Sequence, residues 1–139
     1  MRIAHITTTF PPYYGGTGTV CYYNAIGAAE RGHEVHVFTA RPQGLSRAEV
    51  ALNHTSLAST QRLGIRVHRL SPLFRVGNAP CLPQLLSLRD FDVIHLHSPF
   101  PFGEEFLFVQ SWLRNIPYVI TYHQDLILPG LLGALIKRY

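Results

Sequence analysis

The stretch that decides the fold is Arg2-Ile-Ala-His-Ile-Thr-Thr-Thr-Phe-Pro-Pro-Tyr-Tyr-Gly-Gly-Thr-Gly, residues 2–18. Residues 2–8 are rich in apolar and β-branched side chains, which predicts a strand. Two prolines and three glycines then break the pattern and predict a loop. A helix should follow from about Thr17 to Arg31 and end at Gly32. This order of strand, glycine-rich loop and helix is typical of the first unit of a parallel α/β domain.

The same alternation continues along the chain. Further strands are expected over 33–40, 65–70, 91–97 and 118–122, and helices over 78–88, 103–114 and 126–139. The segment 41–64 stays open, since Ser46 and Glu49 form a possible capping box for a short helix but a long loop fits as well. Strands that alternate with helices predict a mostly parallel sheet of about five or more strands, covered on both faces.

Composition excludes several classes of protein. The 139 residues are 47% hydrophobic and 14% charged, which is enough for a buried core and too apolar for a disordered chain. No apolar run approaches the roughly 18 residues of a membrane span. Two cysteines do not make a disulfide framework, and no signal-peptide pattern opens the chain. We expect a single cytoplasmic domain, with peripheral contact to a membrane as an option.

Positive charge is concentrated in the middle of the chain. Between Arg41 and Arg75 there are six arginines and one acidic residue, Glu49. Such a segment can face phosphate groups, an anionic lipid surface or nucleic acid, and a solvated loop beside a charged edge strand explains it equally. Few aromatic residues are interleaved with these arginines and no nucleic-acid-binding motif is present, so nucleic acid is not an expected partner.

Parallel sheets bind ligands at the carboxyl ends of their strands, which here are followed by the loops 8–18, 97–103 and 122–129. In the first loop, Gly15 to Gly18 allow close approach of the backbone, and the free amides of the following helix attract anions. The spacing fits neither the dinucleotide nor the ATP-binding glycine motif. A purely structural turn remains the alternative.

Polar side chains accumulate in the other two loops. His95 and His97 share one face of a strand, and His123 follows the next strand. They fit a metal site, buried core histidines, or donors to a ligand hydroxyl or phosphate; the lack of a close carboxylate or thiolate argues against a metal. Asp125 suits either a base that orients a hydroxyl or a helix cap. Glu104 and Glu105 are adjacent on a helix, diverge, and favour the helix dipole.

Taken together, these segments resemble the opening half of the retaining glycosyltransferases of family 4. The similarity lies in five blocks in the family's order, which are residues 2–6, 11–18, 31–37, 91–99 and 117–125. It implies a GT-B fold, in which two Rossmann-like α/β domains face each other across a cleft. The chain matches only the N-terminal, acceptor-binding domain of that fold. Residues 1–139 are therefore expected to be this Rossmann-like, three-layer domain, incomplete at its C-terminus and without the donor-binding domain.

The resemblance also implies an activity. A hexose would pass from a nucleotide sugar to the hydroxyl of an acceptor glycan, lipid or small molecule, with retention at the anomeric carbon and without a metal or another cofactor. The 139-residue fragment alone is expected to be inactive. The alternative is a stand-alone module that binds nucleotides or phosphosugars without catalysis.

The resemblance assigns roles to nine residues. His123 would contact the donor sugar and hold the reacting centre, and it is the one expected catalytic residue. Residues expected to bind the donor are Gly15, Gly16 and Thr17. Residues expected to line the acceptor side are Tyr14, His97, Ser98, Gln124 and Asp125.

Overall fold

The structure is a computed structural model that describes residues 1–12, 15–42 and 58–124. Its main sheet has five strands, all parallel: β1 (Arg2–Thr7), β2 (Glu34–Ala40), β3 (Arg66–Leu70), β6 (Val93–Ser98) and β7 (Tyr118–Tyr122). They lie in the order β3-β2-β1-β6-β7. The helices are α1 (Gly16–Glu30), α2 (Ala58–Arg62) and α3 (Gly103–Arg114), with a 3₁₀ helix at Pro83–Ser87.

Two apolar clusters cover opposite faces of the sheet. Helix α1 packs on one face, where its small side chains Cys21 and Ala25 are fully buried against Val35 and Val37. Helix α3 and the 3₁₀ helix cover the other face through Leu107 and a set of leucines. Helices on both faces of a parallel sheet make a three-layer, Rossmann-like α/β domain, which confirms the predicted fold class.

The end of α1 follows the sequence signal. Gly32 has a φ of +81°, a conformation that side chains disfavour, and its N–H donates to the carbonyl of Ala29. The helix itself begins at Gly16, one residue before the predicted start at Thr17. Both cysteines are free and buried, as a chain without a disulfide framework requires.

The helix predicted over 78–88 is wrong in its first half. Residues Arg75–Val76 (β4) and Ala79–Pro80 (β5) pair as a short antiparallel hairpin, and only Pro83–Ser87 forms a 3₁₀ helix. Gly77 turns the hairpin with a φ of +57°, and two prolines remove the N–H donors that an α-helix would need. The capping box at Ser46 and Glu49 and the helix over 126–139 lie outside the described residues.

The connections reverse direction at the centre of the sheet. From β1 the chain moves outward to β2 and β3, and it then returns to the other side of β1 to form β6 and β7. The carboxyl ends of β1 and β6 therefore open a crevice at the switch point, where such sheets bind ligands. None of the described helices is long and apolar enough to cross a membrane.

Candidate active site

The glycine-rich turn joins the end of β1 to the start of α1. A Cβ on Gly18 would lie 2.6 Å from the carbonyl oxygen of Thr9, and a Cβ on Gly15 would lie 2.7 Å from the Thr9 hydroxyl. Nothing lies within 4 Å of a Cβ placed on Gly16, which is exposed. Gly15 and Gly18 thus let the loop approach the helix, whereas Gly16 leaves open space in front of it.

Among the described residues, no side-chain hydrogen bond caps the start of α1. Gly15 occupies the N-cap position without a side-chain hydrogen bond, and the first turn, which includes Thr17, holds no acidic residue. The amides of this turn thus keep their capacity for an anion, which the helix dipole also favours. The predicted donor-binding residues therefore lie at a helix start that can receive a phosphate.

Three histidines form a row from the core to the carboxyl edge of the sheet. Nδ1 of His5 lies 3.4 Å from Nε2 of His97, and Nδ1 of His97 lies 3.1 Å from Nε2 of His123. Strand β1 supplies His5, β6 supplies His97, and the residue after β7 is His123. This histidine row links the predicted catalytic residue to two buried rings.

His95 stands beside the row without extending it. Its ring stacks on that of His97 with centroids 4.4 Å apart, which confirms that the two residues share a face of β6. Its Nε2 lies 2.6 Å from the hydroxyl oxygen of Thr121 on β7. His95 therefore already has a protein partner, as expected for a core histidine.

The remaining predicted acceptor residues separate into three groups. Ser98 is buried, and its hydroxyl donates to Oε1 of Glu104 over 2.6 Å. Gln124 is exposed directly after His123. Tyr14 and Asp125 lie outside the described residues.

The comparison with known families agrees with this geometry. The family described as Glycosyltransferase Family 4 matches residues 14–139, which is most of the chain. The chain belongs to Glycosyltransferase Family 4. No curated protein matches it. Membership makes this a glycosyltransferase domain, with a sugar donor and an acceptor as its general ligands.

Burial keeps the inner part of the row of this glycosyltransferase domain neutral. Loss of hydration lowers the pKa of His5 to about 3, and nearby His95 adds to the shift. Burial likewise lowers the pKa of His97 to about 3, with further contributions from His95, His5 and His123. At neutral pH each of these two rings therefore carries a single N–H. The hydrogen bonds along the row must then all be donated in the same direction.

The direction follows from the far end of the row. Nε2 of His5 is buried and has no hydrogen-bond partner among the described residues. A buried N–H without an acceptor is worse than an unused lone pair, so we assign the proton of His5 to Nδ1. His5 then donates to His97, and His97 donates from Nδ1 to Nε2 of His123. Since Nε2 of His123 accepts this bond, Nδ1 is the ring atom from which His123 can donate to a ligand.

Two residues of this site were not predicted from the sequence as site residues. His5 is a polar residue within the apolar strand run 2–8, and that contrast was its only signal. Glu104 accepts hydrogen bonds from the Ser98 hydroxyl and from the N–H of Phe100, at 2.6 and 2.9 Å. It thereby fixes the loop after β6 to the first turn of α3, a local role beyond the expected interaction with the helix dipole.

A metal is the weaker interpretation of the histidines. Ring nitrogens of His5 and His97 and the sulfur of Cys21 lie within 4.8 Å of one another. In a tetrahedral zinc site the ligand atoms are about 3.3–3.8 Å apart, as bond lengths of about 2.0–2.3 Å require. Burial also raises the pKa of the Cys21 thiol, and a metal needs the thiolate. The geometry fits the hydrogen-bonded row better.

The row predicts a loss of stability in acid. The unfolded chain protonates His5 near pH 6.5, whereas the folded chain does so only near pH 3. The free energy of unfolding is therefore highest above pH 6.5 and falls as the pH drops toward 3. Between pH 7 and pH 5, the free energy of unfolding should fall by about 2 kcal/mol less in His5→Gln than in the wild type, because glutamine does not titrate. Urea unfolding at both pH values measures this, and equal losses in wild type and variant would contradict the pKa shift.

Proposed function

We propose that this chain is the acceptor-binding half of a retaining glycosyltransferase with the two-domain GT-B architecture. It would help to transfer a hexose from a nucleotide sugar to an acceptor hydroxyl. The observation that carries this proposal is the histidine row, which presents His123 at the carboxyl edge of the sheet. The start of α1, where the N-cap makes no side-chain hydrogen bond, opens at the same edge, so His123 and a turn suited to an anion lie on one side of the domain.

The chain's own residues suit catalysis by positioning. The amides at the start of α1, with Gly15, Gly16 and Thr17, would stabilise the negative charge that grows on the leaving diphosphate. His123 would donate from Nδ1 to the transferred sugar, while His97 holds its ring. Since these groups stabilise the charge without an ion, the proposal includes no metal and no other cofactor.

The acceptor would lie between the ends of β1 and β6. In the proposal Tyr14, His97, Ser98, Gln124 and Asp125 line its side of the cleft. The buried contact from Ser98 to Glu104 would keep the loop after β6 in place, so that this wall is preformed. A second, donor-binding domain would close the cleft from the opposite side.

Incubation of the complete protein with UDP- and GDP-hexoses and a panel of glycan and lipid acceptors tests the proposal. We expect a new glycoside whose anomeric configuration, read by NMR, equals that of the donor, and a rate that EDTA leaves unchanged. An inverted product would overturn the retaining mechanism. Tight binding of a nucleotide sugar without transfer to any acceptor would instead favour the stand-alone binding module.

A further inference from the structure

A second pocket opens at the carboxyl ends of β1, β2 and β3, on the side of β1 away from β6. It has a volume of about 350 Å³. Its polar lining consists of Arg41, Arg69 and Arg75 with Thr8, Thr9 and Asn78. No acidic residue is among the described residues that line it. We call it the arginine cavity.

Backbone carbonyls hold two of the three guanidinium groups in place. Nη2 of Arg69 donates to the carbonyl of Pro11 over 2.8 Å, and Nη2 of Arg75 donates to the carbonyl of Arg41 over 2.5 Å. A carbonyl neutralises no charge, so the contact of Arg75 orients its guanidinium group and leaves its positive charge in place. An arginine fixed in this way presents its other N–H groups in a set geometry, which suits the oxygens of a phosphate.

Arg41 adds an incomplete hydrogen-bond set. Its Nε is buried without a hydrogen-bond partner among the described residues. Within the same part of the chain, neither Arg41 nor Arg75 takes part in an ion pair. A buried cationic N–H without an acceptor is unfavourable, and an anion in the cavity would supply that acceptor.

The other described arginines of the basic segment do not share this arrangement. Arg66 pairs with Glu34 at 3.1 Å at the amino ends of β3 and β2, opposite the cavity. Arg62 is exposed at the end of α2. A flat basic surface for nucleic acid would present Arg62 and Arg66 on the same face as the arginines of the cavity. The structure instead gathers Arg41, Arg69 and Arg75 around a concave space of limited size.

We propose that the arginine cavity binds a phosphate group carried by the acceptor. That the carrier is the acceptor rests on the proposed function, whereas phosphate binding itself does not. The cavity is centred near the end of β2, and His97 is on β6, two strands away. Strands are about 4.8 Å apart, so the phosphate would lie roughly 10 Å from the histidine row. This separation favours an acceptor whose reactive hydroxyl lies well away from its phosphate.

Titration of the complete protein with inorganic phosphate, without any sugar donor, tests the site by calorimetry at low ionic strength. We expect saturable binding with one phosphate per chain. Arg41→Gln and Arg75→Gln should each weaken it at least about tenfold, since a hydrogen bond to a charged group contributes about 1.5–3 kcal/mol. Arg89→Gln removes the same charge from an exposed position outside the cavity and should change the affinity less than about twofold.

Equal weakening in all three variants, or no saturable binding, would overturn the proposal. If Arg41→Gln fails to fold, Arg41→Lys keeps the charge and should still weaken binding, because it loses the planar set of donors.

A second experiment identifies the molecule that carries the phosphate. Binding to phosphatidylcholine vesicles that contain phosphatidic acid, lost in Arg41→Gln, assigns the phosphate to a lipid, whereas binding of glycerol 3-phosphate alone assigns it to a soluble acceptor. Absence of sugar transfer, by contrast, would leave the phosphate result intact.

Discussion

Replacing His123 with alanine is expected to slow sugar transfer by the complete enzyme at least about 100-fold, because it removes a donor aimed at charge that develops in the transition state. The fold should survive, since His123 follows β7 and is only partly buried. Its loss leaves the N–H of His97 without an acceptor, which costs about 1–3 kcal/mol of stability. Steady-state transfer rates and urea unfolding measure the two effects separately.

His33→Ala is the matched control for this experiment. His33 lies just before β2, at the amino end of the sheet, and contacts the chain's N-terminus. Its removal should leave the transfer rate within about twofold of wild type, because His33 lies at the end of the sheet opposite the carboxyl edge where the proposed site is located. Wild-type turnover in His123→Ala would refute the proposed role of the histidine row in catalysis.

Gly18→Ala should destabilise the domain, by about 1–3 kcal/mol. The added methyl group would lie 2.6 Å from the carbonyl oxygen of Thr9 and 2.9 Å from its carbonyl carbon, and a backbone group cannot rotate away. Gly18 is buried in the first turn of α1, so relief requires the helix to move away from β1. A lower midpoint in urea unfolding is the expected result.

Gly16→Ala, in the same turn of α1, should instead stabilise the domain. Nothing lies within 4 Å of its added Cβ, and its φ is not in the left-handed region. Alanine is favoured over glycine in a helix by up to about 1 kcal/mol, so this variant should unfold at a higher urea concentration. Stabilisation by both substitutions would show that the close approach of Thr9 to α1 is relaxed in solution.

Local patterns were sufficient for most of the architecture. The bounds of α3 and β7 agree with the sequence prediction at both ends, since a helix with two acidic residues in its first turn and an arginine in its last, and a β-branched strand, each carry their own signal. The hairpin at 75–80 was missed because a two-residue strand is too short to show a period. Pro80 and Pro83 indicated an interruption of the predicted helix without indicating what replaces it.

The candidate site was only partly accessible to such reasoning. His95 and His97 could be placed on one face because the strand period is local. His5 could not be joined to them, since its contact depends on β1 and β6 being neighbours although 92 residues separate His5 from His97. The arginine cavity is hidden for the same reason, because its three arginines reach one space from two strands' ends and a hairpin.

The reversal of strand order at β1 places the arginine cavity and the outer histidines on two different stretches of sequence. Everything in the arginine cavity comes from residues up to Asn78, and the outer members of the histidine row come from residues beyond β5. The end of β1 contributes to both, since Thr8 directly follows the strand and lines the cavity, and His5 within the strand begins the row. Substitutions at Arg41, Arg69 or Arg75 can therefore change the arginine cavity without altering His97 or His123, and the two groups of residues can evolve at separate rates.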